Sequence, residues 1–103
     1  MAAKKGRVWV AEVGASVVGF VSVEIFDPKR SMGEISILAV DPDHQGGGIG
    51  TALTEFALER LKDAGMMVAM VETGGDPGHA AARRTYEKAG YTLLPIARYF
   101  KNL

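Results

Sequence analysis

The chain has 103 residues, 48% of them hydrophobic and 23% charged, enough for one modest core and too apolar for a disordered segment. Twelve basic residues balance twelve acidic ones, so no overall field draws the chain to nucleic acid or to an anionic membrane, and any anion site has to be local. With no cysteine, a disulfide framework, thiolate zinc sites and a cysteine nucleophile are excluded.

Lys4 and Lys5 are not followed by an apolar signal core, and no stretch approaches the roughly 20 apolar residues of a membrane span, so the chain reads as unexported and cytoplasmic. Residues 7–13 are rich in strand formers (Val8, Trp9, Val10, Val13). Gly14, Ala15 and Ser16 break the run before it resumes over 17–26, which predicts a hairpin. Asp27 and Pro28, then Ser31, Met32 and Gly33, bracket a second turn, and the apolar run 34–40 (EISILAV) predicts a third strand. From Ile49 the period changes. Ile49, Leu53, Phe56, Ala57, Leu61 and Ala64 recur at three- and four-residue steps, which predicts the main amphipathic helix, closed by Gly65 in a left-handed cap.

Residues 66–72 (MMVAMVE) predict a short buried strand, parallel to residues 34–40 because a helical crossover joins the two. Asp76 as a cap and Pro77 in the first turn predict a second helix, running through Ala89 to Gly90. Residues 91–95 and 97–101 read as short closing strands. The expected fold is one α/β (α+β) domain over residues 1–103, a twisted sheet mixing parallel and antiparallel strands, flanked by two main helices.

The segment 40–53 (VDPDHQGGGIGTAL) passes from strand through a glycine-rich loop into a helix. Glycines let the backbone approach a ligand closely, and the unpaired N–H groups of a helix start, with the helix dipole, make a site for phosphate or pyrophosphate. The alternative is a plain flexible turn, although glycine at a helix start costs roughly 1 kcal/mol per residue when it has no use. A dinucleotide G-x-G-x-x-G fails, since the last position falls on Thr51 counting from Gly46 and on Leu53 counting from Gly48. A P-loop fails because the loop holds no lysine.

The segment resembles the pyrophosphate loop of the GNAT N-acetyltransferase superfamily, Gln/Arg-x-x-Gly-x-Gly/Ala, met by Gln45, Gly48 and Gly50. Downstream, residues 79–91 (HAAARRTYEKAGY) are similar to the family's Asn-x-x-Ala-x-x-x-Tyr-Glu-Lys-x-Gly-Phe/Tyr, with His79 in place of the usual Asn. The resemblance runs from about residue 7 to the C-terminus. It departs from the family in lacking a further strand and two helices before residues 7–13, elements that help wall the acceptor pocket.

The resemblance implies acetyl-CoA as co-substrate and direct transfer of its acetyl group to a primary amine in a ternary complex. It implies coenzyme contacts from Leu38, Ala39, Val40, Gln45, Gly46, Gly47, Gly48, Ile49, Gly50, Thr51, His79, Ala82, Arg83 and Tyr86. An alkyl ammonium is deprotonated on the order of one part in a thousand at neutral pH, so a base or water relay helps. Glu34 lies where a related branch places its base in Glu-Ile-x-x-x-Ala-Val/Ile, and Glu72, at the end of the neighbouring strand, is a second candidate. Either is equally readable as a solvated surface carboxylate. A backbone N–H of Ala39 or Val40 is implied for the developing oxyanion. Tyr86, on one helical face with Ala82 and His79, is implied as general acid for the leaving thiolate, against a purely structural aromatic.

Arg83 and Arg84 are candidate partners of a nucleotide phosphate or simply solvated. His44 has no second ligand nearby, so no metal site is expected. A non-catalytic acyl-CoA-binding or interaction module is the rival reading, and small polyamine, amino acid, antibiotic, peptide N-terminus and protein lysine all stay open as acceptors. The missing preceding strand leaves residues 7–13 as an edge with Val8, Trp9 and Val10 uncovered, which predicts a homo-oligomer, most simply a dimer.

Overall fold

Three consecutive runs of strand-forming residues pair into an antiparallel meander of β1 (Gly6–Val13), β2 (Ser16–Asp27) and β3 (Met32–Val40) in a computed structural model. The structure describes residues 6–27, 29, 31–75 and 77–103, without the side chains of Phe26 and Asp27. The chain then crosses over through helix α1 (Ile49–Asp63) and adds β4 (Val68–Val71) parallel to β3, giving the sheet order β1-β2-β3-β4. Helix α2 (Ala80–Lys88) follows a short 3-10 turn, Pro77–His79, and packs beside α1. This is the mixed α/β sheet with two helices expected from the sequence.

Alternation along β2 and β3 turns Val21, Val23 and Ile35 to one face, where Leu53, Ala57 and Leu61 recur every four residues along α1 and meet them. Burying each of these larger aliphatic side chains stabilises the fold by roughly 1.5–3 kcal/mol. Two glycines bring helix and sheet together. A Cβ on Gly33 would collide with Leu61 Cδ2, and one on Gly19 would stand 2.9 Å from the Ala39 carbonyl and 3.2 Å from Leu53 Cδ1. The apolar stripe of α1 is narrower than its periodicity suggested. Ala64 is exposed and Phe56 is 39% exposed, resting edge-on against Trp9 at 5.4 Å with the Arg60 guanidinium 4.8 Å from its ring centre. Thr54 takes a core position instead, fully buried with its hydroxyl donating to the Gly50 carbonyl at 2.7 Å.

Both helices end alike. Past α1, Gly65 N–H donates to Lys62 and Met66 N–H to Leu61; past α2, Gly90 N–H donates to Glu87 and Tyr91 N–H to Tyr86. Gly65 and Gly90 take φ of 89° and 98°, the left-handed geometry this pair of hydrogen bonds requires; it was read from sequence at Gly65, and Gly90 was read as the end of the second helix.

Several boundaries differ from expectation. β3 starts at Met32, so Met32 and Gly33 are strand rather than turn, and β4 is confined to Val68–Val71, leaving Met67 85% exposed. The helix expected to start near Asp76 begins as a 3-10 turn and is α-helical only from Ala80; the Asp76 cap, Pro28, Lys4 and Lys5 lie outside the described residues. Residues 91–95 and 97–101 form no strands: strand-forming side chains make a strand only where a neighbouring backbone accepts the ladder, and residues 92–103 are exposed without regular structure. Among the described residues β1 is an edge, with Val8 62% and Val10 53% exposed, but Trp9 is not uncovered, because it points inward onto Phe56 and the core. No helix among the described residues is long and apolar enough to cross a membrane.

Candidate active site

The site is built around a break in β3. Ser22 and Val23 of β2 face Ile37 and Ile35 of β3, so Ser36 is an extra, bulged residue. Its hydroxyl lies 2.8 Å from that of Ser22 and donates to the Ser22 carbonyl at 3.1 Å. The bulge resets the side-chain alternation. Gly33 and Ile35 face α1 before it, and Leu38 and Val40 pack on the same core after it. It also bends the strand. The ladder to β4 stops one residue earlier, at Ile35 opposite Val71, so β3 runs on for five residues with no strand beside it on that side among the described residues. The two parallel strands thus part into a wedge.

Backbone polarity along the free stretch follows from one bond. Asp41 N–H donates to the Val18 carbonyl of β2 at 2.7 Å, and the Ala39 carbonyl also faces β2 at Gly19. Alternation then turns the N–H and C=O of Leu38 and Val40 away from β2, toward the wedge. The Gln45 amide closes one of these groups, donating to the Val40 carbonyl at 3.2 Å.

The loop leaving β3 is wound tightly. Pro42–His44 forms a 3-10 turn in which Asp43 N–H donates to Asp41 Oδ1 at 2.9 Å and His44 N–H to the Asp41 carbonyl at 2.8 Å. Gly46 and Gly48 then take φ of 84° and 87°, conformations in which a Cβ is strained. Gly48 is the cap of α1 and lends it no side-chain bond, the first turn holds no acidic residue, and the first helical bond is Ala52 N–H to the Gly48 carbonyl. The N–H groups of Ile49, Gly50 and Thr51 therefore have no intrahelical acceptor and point, with the helix dipole, out of the loop. His44 Nδ1 is buried with no partner among the described residues, and no group of three or more potential metal ligands occurs among them.

Tyr86 comes from α2, 8% exposed, its ring edge-on to Tyr91 at 5.8 Å. Burial raises its pKa above the ordinary phenol value, so the hydroxyl keeps its proton at neutral pH. Burial and the neighbouring Tyr86 together push Tyr91 up to about 12, and its buried hydroxyl has no hydrogen-bond partner among the described residues. Ala82 is half-buried one turn before Tyr86, and His79 is exposed at the start of α2.

The carboxylates separate. Glu34 is half-buried between Glu24 of β2 and Met70 of β4, next to the apex of the wedge, and because Gly33 and Ile35 face α1 it lies on the opposite face of the sheet. Glu72 directly follows β4, with Oε2 3.7 Å from Arg98 Nη2 and both side chains mostly exposed, an arrangement worth at most about 1 kcal/mol. The Arg83 guanidinium is taken up by the Gly74 carbonyl, so it ties α2 to the stretch after β4 rather than standing free for a phosphate. Ser36 and Gly19 were not singled out from sequence, and Gly33 was read only as a turn residue. A lone serine inside an otherwise apolar run is the signal that could have marked the bulge.

A family model described as an acetyltransferase (GNAT) domain matches residues 4–93. Mycothiol acetyltransferase of Sanguibacter keddieii is 41% identical over 95 residues, covering 88% of this chain and 30% of its own length. Mycothiol acetyltransferase of Streptomyces coelicolor is 35% identical over 83 residues, 81% of this chain and 26% of its own. The chain thus spans less than a third of these relatives. Among solved structures, the IAA acetyltransferase from Bacillus cereus superposes with a TM-score of 0.78 at 31% identity, over 87% of this chain and 57% of that one. The ribosomal-protein-S18-alanine N-acetyltransferase from Escherichia coli does so at 0.71 and 25%, over 82% and 52%.

Proposed function

The chain belongs to the GNAT acetyltransferase family, and from that membership we propose that it transfers the acetyl group of acetyl-CoA to a primary amine by direct attack in a ternary complex. One observation carries the reading: the uncapped, acid-free start of α1 lies beside a strand whose free backbone edge faces an open wedge. The coenzyme's pyrophosphate would sit on the N–H groups of residues 46–51, and its acyl arm would run along Leu38, Ala39 and Val40 into the wedge. Thr51 lies in the first turn, while Ala82 and His79 would flank the arm from α2.

In this reading the neutral amine nitrogen attacks the thioester carbonyl, the C–N bond forms, the C–S bond breaks and the amine's proton passes to a base or to water. The Val40 N–H is the donor for charge developing on the carbonyl oxygen, since it, unlike that of Ala39, turns toward the wedge. Tyr86 donates to the departing sulfur. Because an ordinary thiol near 8.5 is more acidic than a phenol raised above 10, the phenol stabilises the thiolate by a hydrogen bond, and full protonation follows from solvent. Glu34, on the other face of the sheet, would take the amine's proton from the side the acceptor enters. Glu72 remains the second candidate base once its weak pairing to Arg98 is broken. Among the described residues no strand pairs with the outer side of β1, where Val8 and Val10 are exposed, which supports a two-fold dimer that sedimentation equilibrium tests and a strictly monomeric chain would exclude.

Release of free CoA from acetyl-CoA, followed over a panel of polyamines, amino acids, aminoglycosides, peptide N-termini and lysine peptides, tests the activity. Amine-dependent release is expected. Tight acetyl-CoA binding with no release across the panel would favour a non-catalytic acyl-CoA-binding module instead.

A further inference from the structure

The caps that end α1 and α2 share one backbone geometry and differ in their side chains. In each, the residue after the left-handed glycine donates its N–H to the carbonyl four residues before that glycine, Met66 to Leu61 past α1 and Tyr91 to Tyr86 past α2, at 3.0 Å in both. A contact between the two side chains customarily accompanies such a cap. At α1 both side chains are apolar, Leu61 within the core and Met66 packed against it. At α2 the contact is made by two phenol rings, edge-on with centroids 5.8 Å apart. The cap accounts for the rings, and phenylalanine would fill it equally well. It does not account for the Tyr91 hydroxyl, which is buried with no hydrogen-bond partner among the described residues. A buried hydroxyl left in that state is costly and exceptional.

Tyr86 lies against it. With no partner at Tyr91, the two phenol oxygens stand beyond hydrogen-bond distance, yet Tyr86 is close enough to act, after burial, in pushing Tyr91 up to about 12. Tyr91 therefore keeps its proton, and with it a donor, at any pH near neutral. Edge-on ring pairs hold over centroid separations of about 4.5–7 Å, so a tilt that brings the oxygens together keeps the contact. Resting on the reading of Tyr86 above, we propose that Tyr91 is a positioning residue for it, its hydroxyl donating to the Tyr86 phenol oxygen while Tyr86 donates to the departing sulfur. As the C–S bond breaks, its electron pair stays on sulfur. No proton leaves either phenol in this step, and each hydrogen bond in the row polarises the next. With phenylalanine at position 91, Tyr86 would be the weaker donor.

Kinetics and calorimetry on the unaltered chain, Tyr91→Phe, Tyr86→Phe and the double variant test this; every variant keeps both rings, and thermal unfolding confirms the fold. The rate of acetyl transfer is read in single turnovers, with acetyl-CoA and the amine of the panel above that releases CoA fastest. Tyr91→Phe should lower that rate roughly three- to tenfold, the effect of one hydrogen bond, with affinity for acetyl-CoA unchanged. It should lower affinity for CoA relative to acetyl-CoA by a similar factor at about pH 9, where the free thiolate prevails, a readout that needs no acceptor. In the Tyr86→Phe background it should do neither, because it acts through Tyr86. A Tyr91→Phe chain with unchanged rate and unchanged CoA preference, beside a Tyr86→Phe chain impaired in both, would overturn the proposal and leave the Tyr86 reading standing. An undiminished effect of Tyr91→Phe in the Tyr86→Phe background would overturn it as well. Tyr86→Phe without effect on either measure would overturn both.

Discussion

Deleting Ser36 separates the wedge from the fold that carries it. Because Gly33 and Ile35 face the core before the bulge and Leu38 and Val40 after it, removing Ser36 keeps all four on the same face and restores a regular ladder between β2 and β3. The loss is two hydroxyl bonds at an exposed position, 2.8 and 3.1 Å long, together about 1–2 kcal/mol. For a chain this size that lowers Tm by about 4–8 °C per kcal/mol, readable by scanning fluorimetry. A straightened β3 stays beside β4 and closes its free edge. If two or three backbone bonds to the coenzyme's arm vanish at about 1 kcal/mol each, acetyl-CoA affinity falls roughly 30- to 150-fold by calorimetry. Ser36→Gly, which retains the bulge and removes the hydroxyl, is the control and should bind normally. A folded deletion protein with unchanged affinity would refute the reasoning, since the bulge would then have no part in opening the site.

Gly33→Ala should lower stability by about 1–3 kcal/mol in urea unfolding, because its Cβ would press on Leu61 Cδ2, part of a side chain only 3% exposed. Gly48→Glu should abolish acetyl-CoA binding in a folded protein by adding strain at φ 87° and like charge beside the phosphates; calorimetry reads it, and retained affinity would remove the loop from the site. Tyr86→Phe keeps the packed ring and should cut kcat roughly 10- to 100-fold with little change in coenzyme affinity, measured with chemistry rate-limiting. Tyr91→Phe should leave stability unchanged or raise it by about 1 kcal/mol, since it removes a buried hydroxyl without a partner. The same variant should flatten the alkaline limb. A folded pKa near 12 against an unfolded 10 means that the stability contribution is whole below pH 10 and is lost as pH rises toward 12.

Much of this architecture was legible because each signal was local. Glycine in the left-handed region ends both helices at Gly65 and Gly90, apolar spacing marks Leu53, Ala57 and Leu61, and the glycine run from Gly46 to Gly50 sits at a helix start as read. What escaped depends on partners distant in sequence. The bulge at Ser36 exists only relative to Ser22 and Val23 of another strand, and the β4 ladder ends at Val71 opposite Ile35, one residue before that bulge. The closing strands read over residues 91–95 and 97–101 have no ladder to join. Arg83 and Arg84 are indistinguishable as a sequence pair, yet helical geometry sends one to the Gly74 carbonyl and the other to a groove beside α1. Tyr86 and the loop were named together from the resemblance, and their burial and backbone geometry supply the physical terms of the proposal.

Whether the start of α1 and the edge of β3 together hold acetyl-CoA can be read by titrating the isotope-labelled chain with acetyl-CoA and following its backbone amides by NMR. The largest shifts are expected at Gly46, Gly47, Gly48, Ile49, Gly50 and Thr51, with a second set at Leu38 and Val40 that desacetyl-CoA reproduces only in part. Saturable binding that leaves these amides unmoved, or shifts confined to the exposed residues 92–103, would contradict that placement.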